Sequence, residues 1–139
     1  MSDARGFSML VPDGAQRSTD GERIFYITRD NIRVGIKIGA IPPGGAIASM
    51  RAADREGPVT NPGYRDNSVK ETTHHGWPAA RWEFTWKGFD SAEGPRHTID
   101  LCWENGLLYD VWVSAPTGRS AEARAHFEAA VGSFFPYDH

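Results

Sequence analysis

The chain of 139 residues has one cysteine, no long apolar run, no block of one charge and no recognisable catalytic signature. Each absence narrows the reading. A lone Cys102 cannot close an internal disulfide. The neighbouring Asp100 and Glu104 do not give it the electropositive setting of a nucleophilic thiol, so within a strand it reads as a small buried hydrophobe. No stretch approaches the roughly 20 apolar residues of a membrane span, and the opening Met1-Ser2-Asp3-Ala4-Arg5-Gly6 lacks the apolar core of a secretory leader. Net charge is -3. Nucleic-acid contact, which needs clustered cations to displace counterions, is disfavoured. The acids are dispersed too, so no acidic tail is present. Neither Gly-x-x-x-x-Gly-Lys-Ser/Thr nor Gly-x-Gly-x-x-Gly occurs between a strand and a helix, so Gly44-Gly45 and Gly57-Pro58 are not phosphate loops. A Gly-x-Ser-x-Gly elbow is missing as well.

What is present is a packed single domain over residues 1–139, with 1–6 expected to be flexible and 136–139 a tail. A chain of this size hides roughly two-thirds of its unfolded surface, and 40% hydrophobic and 12% aromatic residues suffice for a core without disulfide or metal. Its most informative run is Gly76-Trp77-Pro78-Ala79-Ala80-Arg81-Trp82-Glu83-Phe84-Thr85-Trp86. Ala80, Trp82, Phe84 and Trp86 alternate with Arg81, Glu83, Thr85 and Lys87, the period of a half-buried strand. Burying Phe84 alone contributes about 1.5 to 3 kcal/mol, and a one-residue slip would expose the whole aromatic face.

Similar patterns predict strands at Phe7–Val11, Arg23–Thr28, Ile32–Ile38, Ser68–Thr73, Arg81–Lys87, His97–Trp103 and Leu107–Ser114. Asp30-Asn31 and Glu104-Asn105-Gly106 are hairpin signals, because Asn and Gly tolerate positive φ. The polar 68–73 segment reads as a sheet edge. Residues 14–22 and 57–67 read as loops, and 74–78 as a turn. A short helix is expected over Ala46–Glu56. A second runs from an N-cap at Ser120 to about Ser133, with Ala123, Phe127, Ala130, Val131 and Phe134 as its apolar stripe. The order is β-β-β-α-β-β-β-β-α, an α+β arrangement with an antiparallel sheet and helices packed on it.

Candidate chemistry is sparse, and no catalytic, cofactor or metal residue is assigned. His74-His75 point to opposite faces if on a strand, so a shared metal would need further ligands such as His97; solvated turn residues are the simpler reading. Glu83 and Asp100 fall on the polar faces of expected neighbouring strands, with Arg81, Lys87, Arg33 and Lys37 expected on the same face. That set makes either a polar pocket or a face of weak cross-strand ion pairs. Tyr64, Trp77 and Trp112 lie outside the cleanest stripes and serve either a partner surface or the packing of sheet edge and helices.

Gly6-Phe7-Ser8-Met9-Leu10-Val11-Pro12, the Gly76–Thr85 run and the closing Phe127, Phe134, Phe135 and Pro136 together resemble PsbP-like domains. More narrowly, the chain resembles the C-terminal domains of actinobacterial serine/threonine protein kinases, where a membrane span separates kinase from extracytoplasmic domain. The resemblance covers nearly the whole chain. It implies an α/β/α sandwich with a central antiparallel sheet, as in the P subunit of photosystem II and the Mog family, with no enzyme activity and no fixed functional residues.

Three functions follow as expectations. The first is a non-catalytic module binding an unknown protein or small ligand through loops 57–67 and 74–78, with Tyr64, His75 and Trp77 as contact residues. It would sit on the extracytoplasmic side if attached to a receptor-like kinase, its anchor lying outside this segment, and in the cytoplasm otherwise. The second is a helix-grip enzyme or carrier, marked by a cavity of about 300 Å³ or more with converging polar groups between sheet and C-terminal helix; a filled Trp82/Phe84/Trp86 core argues against it. The third is assembly through homodimerisation.

Overall fold

The computed structural model describes residues 2, 3 and 5–136. Its elements are β1 (Ser2–Asp3), β2 (Phe7–Ser8), β3 (Gln16–Asp20), β4 (Arg23–Ile27), β5 (Arg33–Gly39), α1 (Gly45–Thr60), β6 (Arg65–His74), β7 (Trp77–Trp86), β8 (Arg96–Asn105), β9 (Leu107–Pro116), α2 (Ser120–Ser133) and β10 (Phe135–Pro136). Seven strands form one antiparallel sheet in the order β3-β4-β5-β9-β8-β7-β6, and β1, β2 and β10 form a small second sheet. Each helix covers one face of the large sheet, α2 over β9 and β8, α1 over β7, β6 and β8.

Turn chemistry sets the register. Asn105 pairs with Leu107 across Gly106, whose φ is +77°. His74 pairs with Trp77 across His75 and Gly76, at φ +50° and +84°, so two residues of positive φ make this turn. The expected 74–78 turn is therefore shorter, and Trp77 and Pro78 already belong to β7. Asn31, at φ +59°, closes the β4–β5 hairpin.

Further sequence expectations change: the strand expected over Phe7–Val11 ends at Ser8, and β6 begins at Arg65, inside the expected 57–67 loop. Residues 16–20 are a strand and not a loop; all five are exposed, so β3 is held by backbone pairing to β4 and shows no apolar alternation. The first helix continues through Gly57-Pro58 to Thr60, its end closed by Asn61 N–H donating to Gly57 O at 2.8 Å. Gly57 is needed there because the Tyr64 ring fills the space of a side chain, within 2.4 Å of an ideal Cβ. Arg119, not Ser120, occupies the N-cap of α2; a 3₁₀ turn over Thr117–Arg119 precedes the helix, and Ser120 Oγ donates to Thr117 O at 2.6 Å.

The main core lies between the sheet and α2. Ile24, Tyr26, Val34, Ile36, Ile99, Leu101, Trp103, Tyr109, Val111 and Val113 meet Ala123, Phe127 and Ala130 there. This is the stripe expected of the second helix. The face of Ala80, Trp82 and Phe84 points the other way, under α1, where Ala80 and Cys102 pack with Ala46 and Met50. Cys102 is buried, as expected, and its thiol lies 3.6 Å from Ala46 O. Trp112, considered above for a partner surface, lies over Gly35, where an ideal Cβ would come within 2.1 Å of the indole, and beside Phe25.

Part of the segment expected to be flexible is tied down. Ser2–Asp3 pairs with Phe7–Ser8. The Asp3 carboxylate takes Arg17 Nε at 2.8 Å and a second Arg17 nitrogen at 3.1 Å, and also accepts from the Tyr26 hydroxyl and from Arg5 N–H. Burial alone would raise its pKa; those donors outweigh it and hold Asp3 down to about 2. The expected tail begins at Pro136, which pairs with Phe7; residues 137–139 lie outside the described residues.

Candidate functional site

Because α2 sits on β8 and β9, it leaves a gutter over β7 and the free edge strand β6. This groove has a volume of about 300 Å³ and is lined by Lys70, Glu71, Thr72, Thr73, Arg81, Leu101, Phe127, Glu128 and Val131. Pairing of Lys70 with Arg81 sets two cations side by side on its floor. The Arg81 guanidinium stands 5.3 Å from the Phe127 ring and 3.6 Å from Glu83. Glu83 also takes Arg124 at 3.1 Å and lies 3.4 Å from His97 Nε2. Burial acts to raise the Glu83 pKa, but Arg124, His97 and Arg81 hold it below the usual value. These charge pairs hold Arg81 in place on the groove's floor.

One end of the groove is the β6–β7 turn. The His74 ring packs 4.5 Å from Trp103 and 4.2 Å from His75. Its pKa is lowered by burial and by His75, against a hydrogen bond to the Val131 backbone. His75 and Trp77 are exposed beyond it, their rings 6.3 Å apart. Among the described residues no group of three or more His, Cys, Asp or Glu could hold a metal ion.

Tyr64 is elsewhere. Ten residues of β6 separate it from His75, about 33 Å along a strand. Its hydroxyl donates to Asp54 and accepts from Trp82 Nε1 at 2.7 Å, and its ring centroid is 5.1 Å from that of Phe84. Tyr64 therefore locks α1 onto β7. The structure brings His75 and Trp77 together at the groove's end and does not bring Tyr64 to them.

The proposed carboxylate pair also divides. Trp82 pairs with Asp100 and Glu83 with Ile99, so Glu83 faces α2 while Asp100 faces α1. Arg81 goes with Glu83. Arg33 and Lys37, opposite Ser114 and Asp110, lie on the α1 side. The partner of Asp100 is Asp110, two residues along from the residue opposite it. Sequence reasoning missed this pair, although the Asn105-Gly106 turn fixes a register that places both acids on one face.

The fold and sequence have relatives. The solution structure of cyanobacterial PsbP from Synechocystis sp. superposes with a TM-score of 0.69 at 18% identity, over 99% of this chain and 91% of that one. LpqN of Mycobacterium tuberculosis, described as involved in cell envelope biogenesis, gives 0.62 at 13% identity, over 94% and 83%. No curated protein matches the chain by sequence. A family model described as the serine/threonine kinase C-terminal domain matches residues 1–136. With that match over nearly its full length, and a PsbP-like sandwich beneath it, the chain belongs to the family of serine/threonine kinase C-terminal domains.

Proposed function

We propose that this accessory domain is a non-catalytic binding module that takes a peptide segment or small ligand in the groove between β6 and α2, with His75 and Trp77 at its mouth. The observation carrying this reading is the groove itself: about 300 Å³ beside a ten-residue strand whose outer edge has no neighbour in the sheet. A free edge offers backbone donors and acceptors in register, and a flanking pocket sorts side chains. The lining holds two cations, two carboxylates, two threonines and an apolar wall, and its β6 residues Lys70, Glu71, Thr72 and Thr73 are all exposed. The groove also meets the size set for the helix-grip alternative. The filled Trp82/Phe84 face does not count against that alternative, because it lies on the far side of the sheet. The open, exposed floor beside a free sheet edge favours binding over an enzyme.

Attachment to a receptor-like kinase would put the groove on the extracytoplasmic side of a membrane. No helix among the described residues is long and apolar enough to cross one, so the anchor would be supplied by another segment.

Amide chemical shifts followed while the domain is titrated with an extended-peptide library and, separately, a fragment library test the reading. Shifts clustered at Lys70–Thr73, Arg81 and Phe127–Val131, weakened at least about fivefold in affinity by Arg81→Ala, support it; about 1 kcal/mol is expected from one such contact. Shifts confined to the α1 side, or none with either library, contradict it.

A further inference from the structure

We propose that Asp100 and Asp110 form a proton-dependent latch that seats α1 on the sheet when they share one proton and loosens it when that proton leaves. The pair is built into the sheet. Both acids stand on the α1 face of adjacent strands, and Asp110 is directly opposite Cys102. Asp100 is buried at 6% exposure. Oδ1 of each acid is buried without a hydrogen-bond partner among the described residues. An orphan carboxylate oxygen in such a place is costly, and two full negative charges within hydrogen-bond reach are costlier still.

The surroundings offer little relief. From α1 come Ala46 and Met50, both apolar. The charged residues of α1 do not face the pair: Arg51, Arg55 and Glu56 are exposed, and Asp54 accepts from Tyr64 and Asn67. From β8 come Cys102 and Glu104, which add no cation. Lys37 of β5 and Arg23 of β4 act on Asp110 alone, and Lys37 is 3.9 Å from Glu22. The result is that Asp100 is held protonated well above the usual range, by burial and then by Asp110, and donates to Asp110. A hollow of about 180 Å³, lined by Asp110, Lys37, Glu22 and Ser49, gives the proton a route to solvent.

The sign is fixed by linkage. The folded pair holds a proton that the unfolded chain has released, so the α1 contacts strengthen at low pH and weaken as pH rises above the ordinary carboxylate range. Site-resolved amide exchange of the wild-type domain, corrected for intrinsic rates, between about pH 5 and about pH 8 reads this directly. Protection at Ile47–Met50 should fall by up to about tenfold per pH unit within the window where the proton leaves, while protection in α2 should not. Asp100→Asn keeps a donor to Asp110 without a titrating proton, so it should remove the slope. Flat α1 protection in the wild type, an equal slope in α2, or an unchanged slope in Asp100→Asn would overturn the latch. Should Asp100→Asn fail to fold, the wild-type comparison of α1 with α2 still decides.

Discussion

The two faces of the large sheet treat their acids in opposite ways. Toward α2 the buried surface is apolar, and acids stay at the margin with full sets of donors: Asp3 held by Arg17, Tyr26 and Arg5, and Glu83 held by Arg124, His97 and Arg81. Toward α1 the apolar patch is smaller, and buried Asp100 and half-buried Asp110 each keep a buried oxygen without a hydrogen-bond partner among the described residues. The α1 face does bury one charge with a partner for each of its nitrogens. Arg96 is fully buried yet donates to Ser114 Oγ, Ser114 O, Asn31 O and Glu93. Burial of charge is therefore tolerable in this sheet where donors and acceptors match. Asp100 and Asp110 stand out because theirs do not. One face supplies stability, and the other holds back a part of it that protons can modulate.

The largest expected break in this comparison is Phe127→Ala, which empties the main core and should cost about 4 kcal/mol by chemical denaturation. Met50→Ala, under α1, should cost less, about 2 to 3 kcal/mol, because the cluster it leaves is smaller. Equal losses would mean the two faces carry equal weight. Gly35→Ala comes next: its Cβ would strike the Trp112 indole, and about 2 kcal/mol of overpacking strain should appear as a lower melting temperature.

Asp3→Asn sharpens the acid comparison. It should cost about 2 kcal/mol at neutral pH through lost charged hydrogen bonds. The folded value of Asp3, about 2, lies below its ordinary 3.8, so its contribution is present above about pH 4 and lost as pH falls from there toward 2. The variant should show a shallower acid limb in a pH series of melting temperatures. The smallest effect is expected from Trp77→Ala, below about 0.5 kcal/mol in stability, since Trp77 is 38% exposed. A larger loss would make Trp77 a packing residue and remove it from the groove's mouth.

Much of this was legible in the chain. Asn105-Gly106 gave the β8–β9 register, and the Ala123/Phe127/Ala130 stripe gave the buried side of α2, because local turn chemistry and helical period fix both. β3 was illegible, since a strand with five exposed residues carries no alternation. The end of α1 was hidden too. Gly57-Pro58 reads as a breaker, and only the arrival of the Tyr64 ring explains why a glycine sits within the helix. That ring contact also turns Tyr64 from a candidate surface residue into a structural one. The groove depends on how far α2 reaches across the sheet, which no local pattern encodes. The acid pair is the instructive miss: Glu83 and Asp100 each lie on the polar face of their own strand, but the apolar series Ala80/Trp82/Phe84 and Ile99/Leu101/Trp103 pack on opposite faces of the sheet, so the two polar faces do not coincide.

The most direct measurement is a carbon-detected titration of the aspartate side chains in the intact domain, reading Asp3, Asp100 and Asp110 in one series. Asp3 should titrate near pH 2 and Asp100 well above the ordinary carboxylate range, with Asp110 changing in step with it. Three independent titrations near the ordinary value of 3.8 would contradict the division of acids between the two faces.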